Sequence, residues 1–317
     1  MNSDQHFILG IVCFLIAITI CNAVYDKTIN QTKFLYRKDA DWDRFKTTLP
    51  NSNLEYAFMG DSHMLADIDT TSVNNVYNFG TPLEDYSETY YKLNKVYDVD
   101  NISINYLVLQ LDEYAFANKI RTKALRFRDY KYYNDYVDIV NMSNLTGIPY
   151  ESLVVYINFN IIAPHNGLSG QIINNYFRPK PVLNGYSNRT GNFSIANNKT
   201  KLAKDKVAQF FNESPLVFND VSFDYFNKII SLANEHNTTI VLLSMPVTDM
   251  YYIELETYNF SRQEFYTKVL SQIGNYTLID NYDIYLDKPE YFDDVDHLNY
   301  IGSRLYTGVV LDAIRYT

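Results

Sequence analysis

Residues 54–67 read LEYAFMGDSHMLAD, and this stretch decides the fold. An apolar run over 56–59 ends at Gly60-Asp61-Ser62-His63. A buried strand followed by glycine and then a hydroxyl residue marks a strand-to-helix corner. In an open α/β sheet such a corner projects the serine Oγ from the carboxyl edge, where ligands bind. A Gly-Asp-Ser tripeptide alone says little, because serine is also a favoured helix N-cap. The preceding strand is what turns Ser62 into a candidate nucleophile.

Working outward, the pattern of apolar runs and helices repeats. Residues 76–80, Val-Tyr-Asn-Phe-Gly, predict a second short strand ending in glycine. Pro82 and the acidic Glu84-Asp85 open a helix over 85–97, with acids in its first turn. YLVLQL at 106–111 predicts a third strand, ending at Asp112-Glu113. TIVLLS at 239–244 and the run 276–279 predict two more. Helices are predicted over 223–236, from Ser261 to about 273, and over 300–314. Apolar strands alternating with helices imply a parallel sheet covered on both faces. The expected fold is a three-layer α/β/α sandwich with a mainly parallel, flavodoxin-like sheet.

The expected organisation is an N-terminal segment over 1–25, a stalk over 26–53 and one domain over 54–317. An insertion at about 115–219 is expected to lie over the carboxyl edge of the sheet. It opens with a basic run at 119–131, and its Gly/Asn/Ser-rich stretch 184–200 reads as an exposed loop. The basic run suits a solvated helix face, or an anionic lipid or polymer. Residues 7–25 are mostly apolar and uncharged, just long enough to span a bilayer. They predict one N-terminal transmembrane helix, or else a signal peptide cut after Ala23.

Orientation signals conflict. Lys27, Lys33, Arg37 and Lys38 follow the apolar segment and favour a cytoplasmic domain. Against them stand eleven Asn-X-Ser/Thr sequons, at Asn30, Asn101, Asn141, Asn144, Asn188, Asn192, Asn198, Asn212, Asn237, Asn259 and Asn275. The composition would give about four by chance. That excess predicts a glycosylated domain outside the cytoplasm, held at the cell membrane by the N-terminal helix, or secreted if the segment is cut.

Composition removes several classes of function. The net charge is −10 and the pI about 5.0, which excludes a nucleic-acid partner, since phosphate binding needs a basic face. Cys13 and Cys21 both lie in the apolar segment. Thiol catalysis, a disulfide framework and cysteine metal sites therefore drop out. No cofactor and no metal are expected, because the clustered acids near 293–296 lack a convergent ligand set.

A serine nucleophile needs an imidazole to take its proton and a carboxylate to orient that imidazole. Asp293-Asp294-Val295-Asp296-His297-Leu298-Asn299 supplies both near the other end of the chain. His297 is the candidate base. The residues alone leave open which of Asp293, Asp294 and Asp296 orients it.

These blocks resemble the SGNH (GDSL-like) hydrolase superfamily. Gly60-Asp61-Ser62-His63 matches the first block, Asn78-Phe79-Gly80 the second, and Asp294-Val295-Asp296-His297 the terminal Asp-x-x-His block. The resemblance spans about 54–114 and 239–310. The GDSH form, the N-terminal segment and Ser244-Met245-Pro246 resemble the branch that assists O-acylation of surface polymers, which includes alginate-acetylation proteins and the D-alanine transfer protein of teichoic acids. The resemblance implies Ser62 as nucleophile, His297 as base and Asp294 as its orienting acid. It implies an oxyanion hole from the N–H groups of Ser62 and Gly80, with Asn78 as a further candidate. One departure stands out: the third block's usual asparagine is replaced by Asp112-Glu113, where a carboxylate would repel an oxyanion unless protonated or turned away. Asp112 is therefore expected to be structural or to orient substrate. His63 either touches substrate or orders the corner.

The implied activity is an esterase or O-acyltransferase acting on acyl esters, acetyl above all, of a cell-surface glycan or polymer. A multi-span membrane acyltransferase would be the donor partner of a transferase. Two alternatives remain: a non-catalytic glycan-binding or envelope-assembly protein with this fold, and a lipase.

Overall fold

The computed structural model describes residues 3–32, 53–82, 84–99, 101–117, 137–158, 182–183, 185–211, 219–271 and 273–316. The basic run at 119–131 and most of 26–53 lie outside them. In chain order the elements are helix α1 (Ser3–Thr32), strand β1 (Asn53–Met59), α2 (Ser62–Asp67), β2 (Val76–Asn78), α3 (Tyr86–Asn94), β3 (Ser103–Gln110), α4 (Ile139–Thr146) and α5 (Tyr150–Asn158). There follow β4 (Val182–Leu183), β5 (Tyr186–Ser187), α6 (Lys199–Phe210), α7 (Asp220–Glu235), β6 (Thr239–Ser244), α8 (Asp249–Glu256), α9 (Arg262–Leu270), β7 (Thr277–Asp280) and α10 (Tyr300–Arg315).

The chain forms two compact units. One comprises Met1–Trp42 and Leu125–Lys180, the other Asp43–Ala124 and Pro181–Thr317. The first holds α1 and the pair α4 and α5, with Met142 and Leu153 buried. Asp138 caps α4 by accepting the Asn141 N–H, and Gly147 ends it at φ 69°, a conformation that favours glycine. The expected transmembrane helix is corrected here. Among the described residues no helix is long and apolar enough to cross a membrane. Asp4 and His6 precede the apolar centre of α1, and Asp26 and Lys27 follow it.

The second unit is the three-layer α/β sandwich. Its sheet has five strands in the order β2-β1-β3-β6-β7, all pairs parallel. That is a flavodoxin-like order, with its switch point between β1 and β3. Phe58, Val108, Val241, Leu243 and Ile279 join one core cluster with Tyr306, Val310 and Ile314 of α10. Their alternates Ala57, Leu107, Leu109, Ile240 and Leu242 are buried as well. Both faces are therefore covered, as a parallel sheet requires. Tyr86 at the start of α3 donates to Gln110 O, and its ring packs edge-on against Phe226 of α7.

The segment 185–211 differs from an exposed loop. Tyr186 and Phe193 are buried, and a backbone bond ties Phe193 N–H to Phe292 O at 2.8 Å. Tyr300 N–H donates to Arg189 O at 2.9 Å, and Tyr186 bonds Ser303. The segment thus belongs to the sheet unit and braces the loop that precedes α10. Gly185 approaches β2 so closely that a Cβ there would sit 1.7 Å from Asn78 O.

Candidate active site

β1 delivers the corner. A Cβ at Gly60 would lie 2.3 Å from Gln110 Oε1, so only glycine lets β1 turn against β3 there. Asp61 caps α2 by accepting the His63 N–H at 2.9 Å, and the Asp61 N–H donates to Gln110 Oε1 at 2.9 Å. Ser62 opens α2 and stays partly exposed among buried neighbours. At the other end of α2, the buried Asp67 accepts the Leu298 N–H at 2.8 Å. That bond fastens the helix carrying Ser62 to the loop carrying His297.

The structure brings the predicted serine, histidine and aspartate together. His297 Nε2 lies 2.9 Å from Ser62 Oγ. His297 Nδ1 lies 2.9 and 3.1 Å from the two oxygens of Asp294. Asp294 Oδ1 also accepts the N–H groups of His297 (2.9 Å) and Asp296 (3.2 Å), so it folds the loop around its own partner. Arg189 donates to Asp294 Oδ2 at 3.0 Å. Burial works against charge on Asp294, but the nearby His297 outweighs it and holds the carboxyl below its ordinary range.

A second carboxylate reaches the same nitrogen. Asp296 Oδ1 is 3.1 Å from His297 Nδ1, and Asp296 Oδ2 is 3.0 Å from Lys206 Nζ of α6. Asp296 is 1% exposed, yet Lys206 and His297 overcome its burial and keep it well below the usual carboxylate range. Lys206 is raised in turn, its burial offset chiefly by Asp296.

His63 lies behind the pair. Its ring stacks on His297 at 4.2 Å between centroids and 7° between planes. Its Nδ1 contacts Asp61 Oδ1 (3.1 Å) and the Tyr114 hydroxyl (2.6 Å), and its Nε2 contacts Asp296 Oδ2 (3.3 Å). It is 2% exposed and lies under His297, an ordering position rather than a substrate-facing one.

The remaining predicted residues fall elsewhere. The Gly80 N–H donates to Asn78 Oδ1 at 2.9 Å, and Asn78 Nδ2 donates to Met64 O (2.5 Å) and Ile68 O (3.1 Å). The Asn78 side chain thus ties β2 to α2, and it also accepts the Gly80 N–H. Asp112 is buried. It accepts Gln110 Nε2 (2.8 Å) and the Met245 N–H (3.1 Å) in a layer behind His63. Burial pushes it up to about 6, and burial together with Asp112 pushes Glu113 up to about 7. Glu113 accepts the Tyr282 hydroxyl at 3.0 Å.

Sequence reasoning passed over Asp67, Tyr114, Arg189 and Lys206. Ala203, Val207 and Phe210, the buried residues of α6, lie at helical spacing and are the signal that would have placed Lys206 on a packed helix.

No family model and no curated protein matches the chain. Among solved structures, a Bacteroides fragilis NCTC 9343 protein named as an acylhydrolase is 12% identical, covering 86% of this chain and 93% of that chain, with a TM-score of 0.39. A Streptococcus pneumonia protein named for platelet activating factor is also 12% identical, covering 92% and 99%, with a TM-score of 0.40. Likeness this loose carries no argument about activity, and the functional reading rests on the side chains.

Proposed function

We propose that the protein is a serine esterase or O-acyltransferase acting on small acyl esters. The observation that carries this reading is the chain Ser62 Oγ, His297 Nε2, His297 Nδ1, Asp294, with both links at 2.9 Å. In the reaction Ser62 Oγ attacks the ester carbonyl and passes its proton to His297 Nε2. Asp294 stabilises the imidazolium that forms. The tetrahedral adduct collapses, the alcohol leaves with the proton from His297, and the acyl group stays on Ser62. Water then regenerates the serine in hydrolysis, or a sugar hydroxyl takes the acyl group in transfer. The Ser62 N–H, in the first turn of α2, is the oxyanion donor in this reading.

The acetyl group and the surface glycan or polymer rest on the resemblance of the GDSH corner. A place outside the cytoplasm rests on the sequons, of which Asn101, Asn144, Asn192, Asn198, Asn237, Asn259 and Asn275 are exposed.

A fluorophosphonate probe tests the core of the proposal. Labelling of the wild-type protein that is lost in Ser62→Ala, with hydrolysis of acetyl esters faster than of longer acyl esters, is the expected result. Absence of Ser62-dependent labelling in a folded protein refutes serine chemistry. It would favour the binding-module alternative.

A further inference from the structure

Both ring nitrogens of His63 face acceptors. Nδ1 has Asp61 Oδ1 at 3.1 Å, and Nε2 has Asp296 Oδ2 at 3.3 Å. Nδ1 bonds the Asp61 carboxylate, and Nε2 lies at ion-pair distance from the buried Asp296 carboxylate, so two carboxylates flank the ring and favour its doubly protonated form. The Tyr114 hydroxyl fits the same assignment, accepting from Nδ1 while it donates to Asp61 Oδ1 at 3.0 Å. The His63 ring lies flat against His297, 4.2 Å away. We propose that His63 is a positioning residue, a cation clamped edge-on by Asp61 and Asp296 that fixes the plane of the His297 ring and works against a second positive charge on it. The proposal rests on the reading of His297 as the base that serves Ser62.

The need for such a device lies at His297 Nδ1. Asp294 and Asp296 both stand there, and two carboxylates left unopposed would hold the base protonated and useless to Ser62. His63 supplies the opposing charge from the ring face, where it leaves both His297 nitrogens free. The other charged or titratable groups around the two rings are Asp61 from the corner, Asp67 from α2, Asp112 and Tyr114 after β3, Arg189 after β5, Lys206 from α6 and Tyr251 from α8. Burial lowers His63, but Asp61 and Asp296 raise it well above the usual imidazole range. For His297, burial and the His63 charge push down, Asp296 and Asp294 push up, and the balance lies above the ordinary value.

The first test uses the unaltered protein: ring 15N and 13C chemical shifts of the histidines followed across pH. His63 is expected to keep both protons throughout the range in which His297 titrates. A neutral His63 in that range overturns the proposal, whether or not the protein is an enzyme. The second test compares His63→Gln and His63→Phe by the rate of fluorophosphonate labelling of Ser62 against pH. Loss of the His63 charge should move the acid limb to higher pH by about one unit, a tenfold loss on that limb with the alkaline plateau largely kept. An equal loss at every pH, or a limb moved downward, overturns it. Absence of labelling in the wild type as well would refute serine chemistry, while the ring titration still decides the charge on His63.

Discussion

Two carboxylates stand beside one nitrogen of His297, Asp294 hydrogen-bonded to it and Asp296 at ion-pair distance, and their contributions can be separated. Asp294 meets Nδ1 at 2.9 and 3.1 Å, Asp296 at 3.1 Å. In a triad with a single carboxylate, loss of that group lowers kcat by ~10⁴. Here Asp294→Ala leaves Asp296 in place. A hydrogen bond to a charged group contributes about 1.5–3 kcal/mol, and the Asp294 side chain, 42% exposed, belongs at the lower end. At about 1.4 kcal/mol per decade that is roughly a ten- to thirtyfold loss of kcat/KM. The direction of the pH effect is also fixed. Asp294 raises the His297 pKa, so without it the acid limb moves to lower pH. Adding Asp296→Asn should bring the loss toward ~10⁴. The assay is kcat/KM on a chromogenic acetyl ester between pH 5 and 9, with circular dichroism to confirm folding. A loss of ~10⁴ from Asp294→Ala alone, with nothing further from the second substitution, would refute a shared role for Asp296.

Two further substitutions probe the support around the site. Asp67 is buried and pushed up to about 7 by that burial, from an ordinary value near 4. The folded form therefore binds its proton more tightly than the unfolded chain, so this group's contribution is full below pH ~4 and is lost as pH rises to ~7. Asp67→Asn keeps an acceptor for the Leu298 N–H. In urea titrations it should gain on the wild type by on the order of 2–4 kcal/mol between pH 4 and 7.5, and an equal difference at both pH values would contradict this. Lys206→Met removes the cation beside Asp296 and should cost about 1–3 kcal/mol at pH 7. Asp296 is depressed, so its share of stability is present above pH ~4 and lost below. The deficit should shrink below pH 4 in the same titrations.

Much of the sheet was legible because its strands are buried on both faces. The predicted strand at 239–244 coincides with β6, and those at 106–111 and 276–279 overlap β3 and β7 within a few residues. The acidic opening of the second helix became a capping box, Asp85 with Glu88. The meeting of Ser62, His297 and Asp294 was legible because the three residues sit in two short motifs, the corner and the Asp-rich loop. The hydrogen bond from the Gly80 N–H to Asn78 Oδ1 was not legible, because it is a matter of side-chain rotamer that no motif encodes. The sequons have a second cause as well. Asn101, Asn198, Asn237, Asn259 and Asn275 all sit at positive φ, where asparagine is among the few residues that fit, so part of their excess follows from backbone turns.

The residues missed share a different property. Lys206 and Arg189 act across the sequence, each paired with an acid about a hundred positions or fewer away, and neither belongs to a motif. A charged residue within a charged helix looks solvated until something shows which acid it meets. Asp296 is such an acid. It is nearly inaccessible and lies in contact with His63, His297 and Lys206 together. A buried carboxylate costs several kcal/mol unless cations surround it, so its position calls for partners from more than one element. The corner after β1 provides His63, the loop before α10 provides His297, and α6 provides Lys206. The segment bearing Lys206 is therefore part of the site's electrostatics. Its removal would leave Asp296 and the Ser62–His297 pair intact in sequence yet altered in charge.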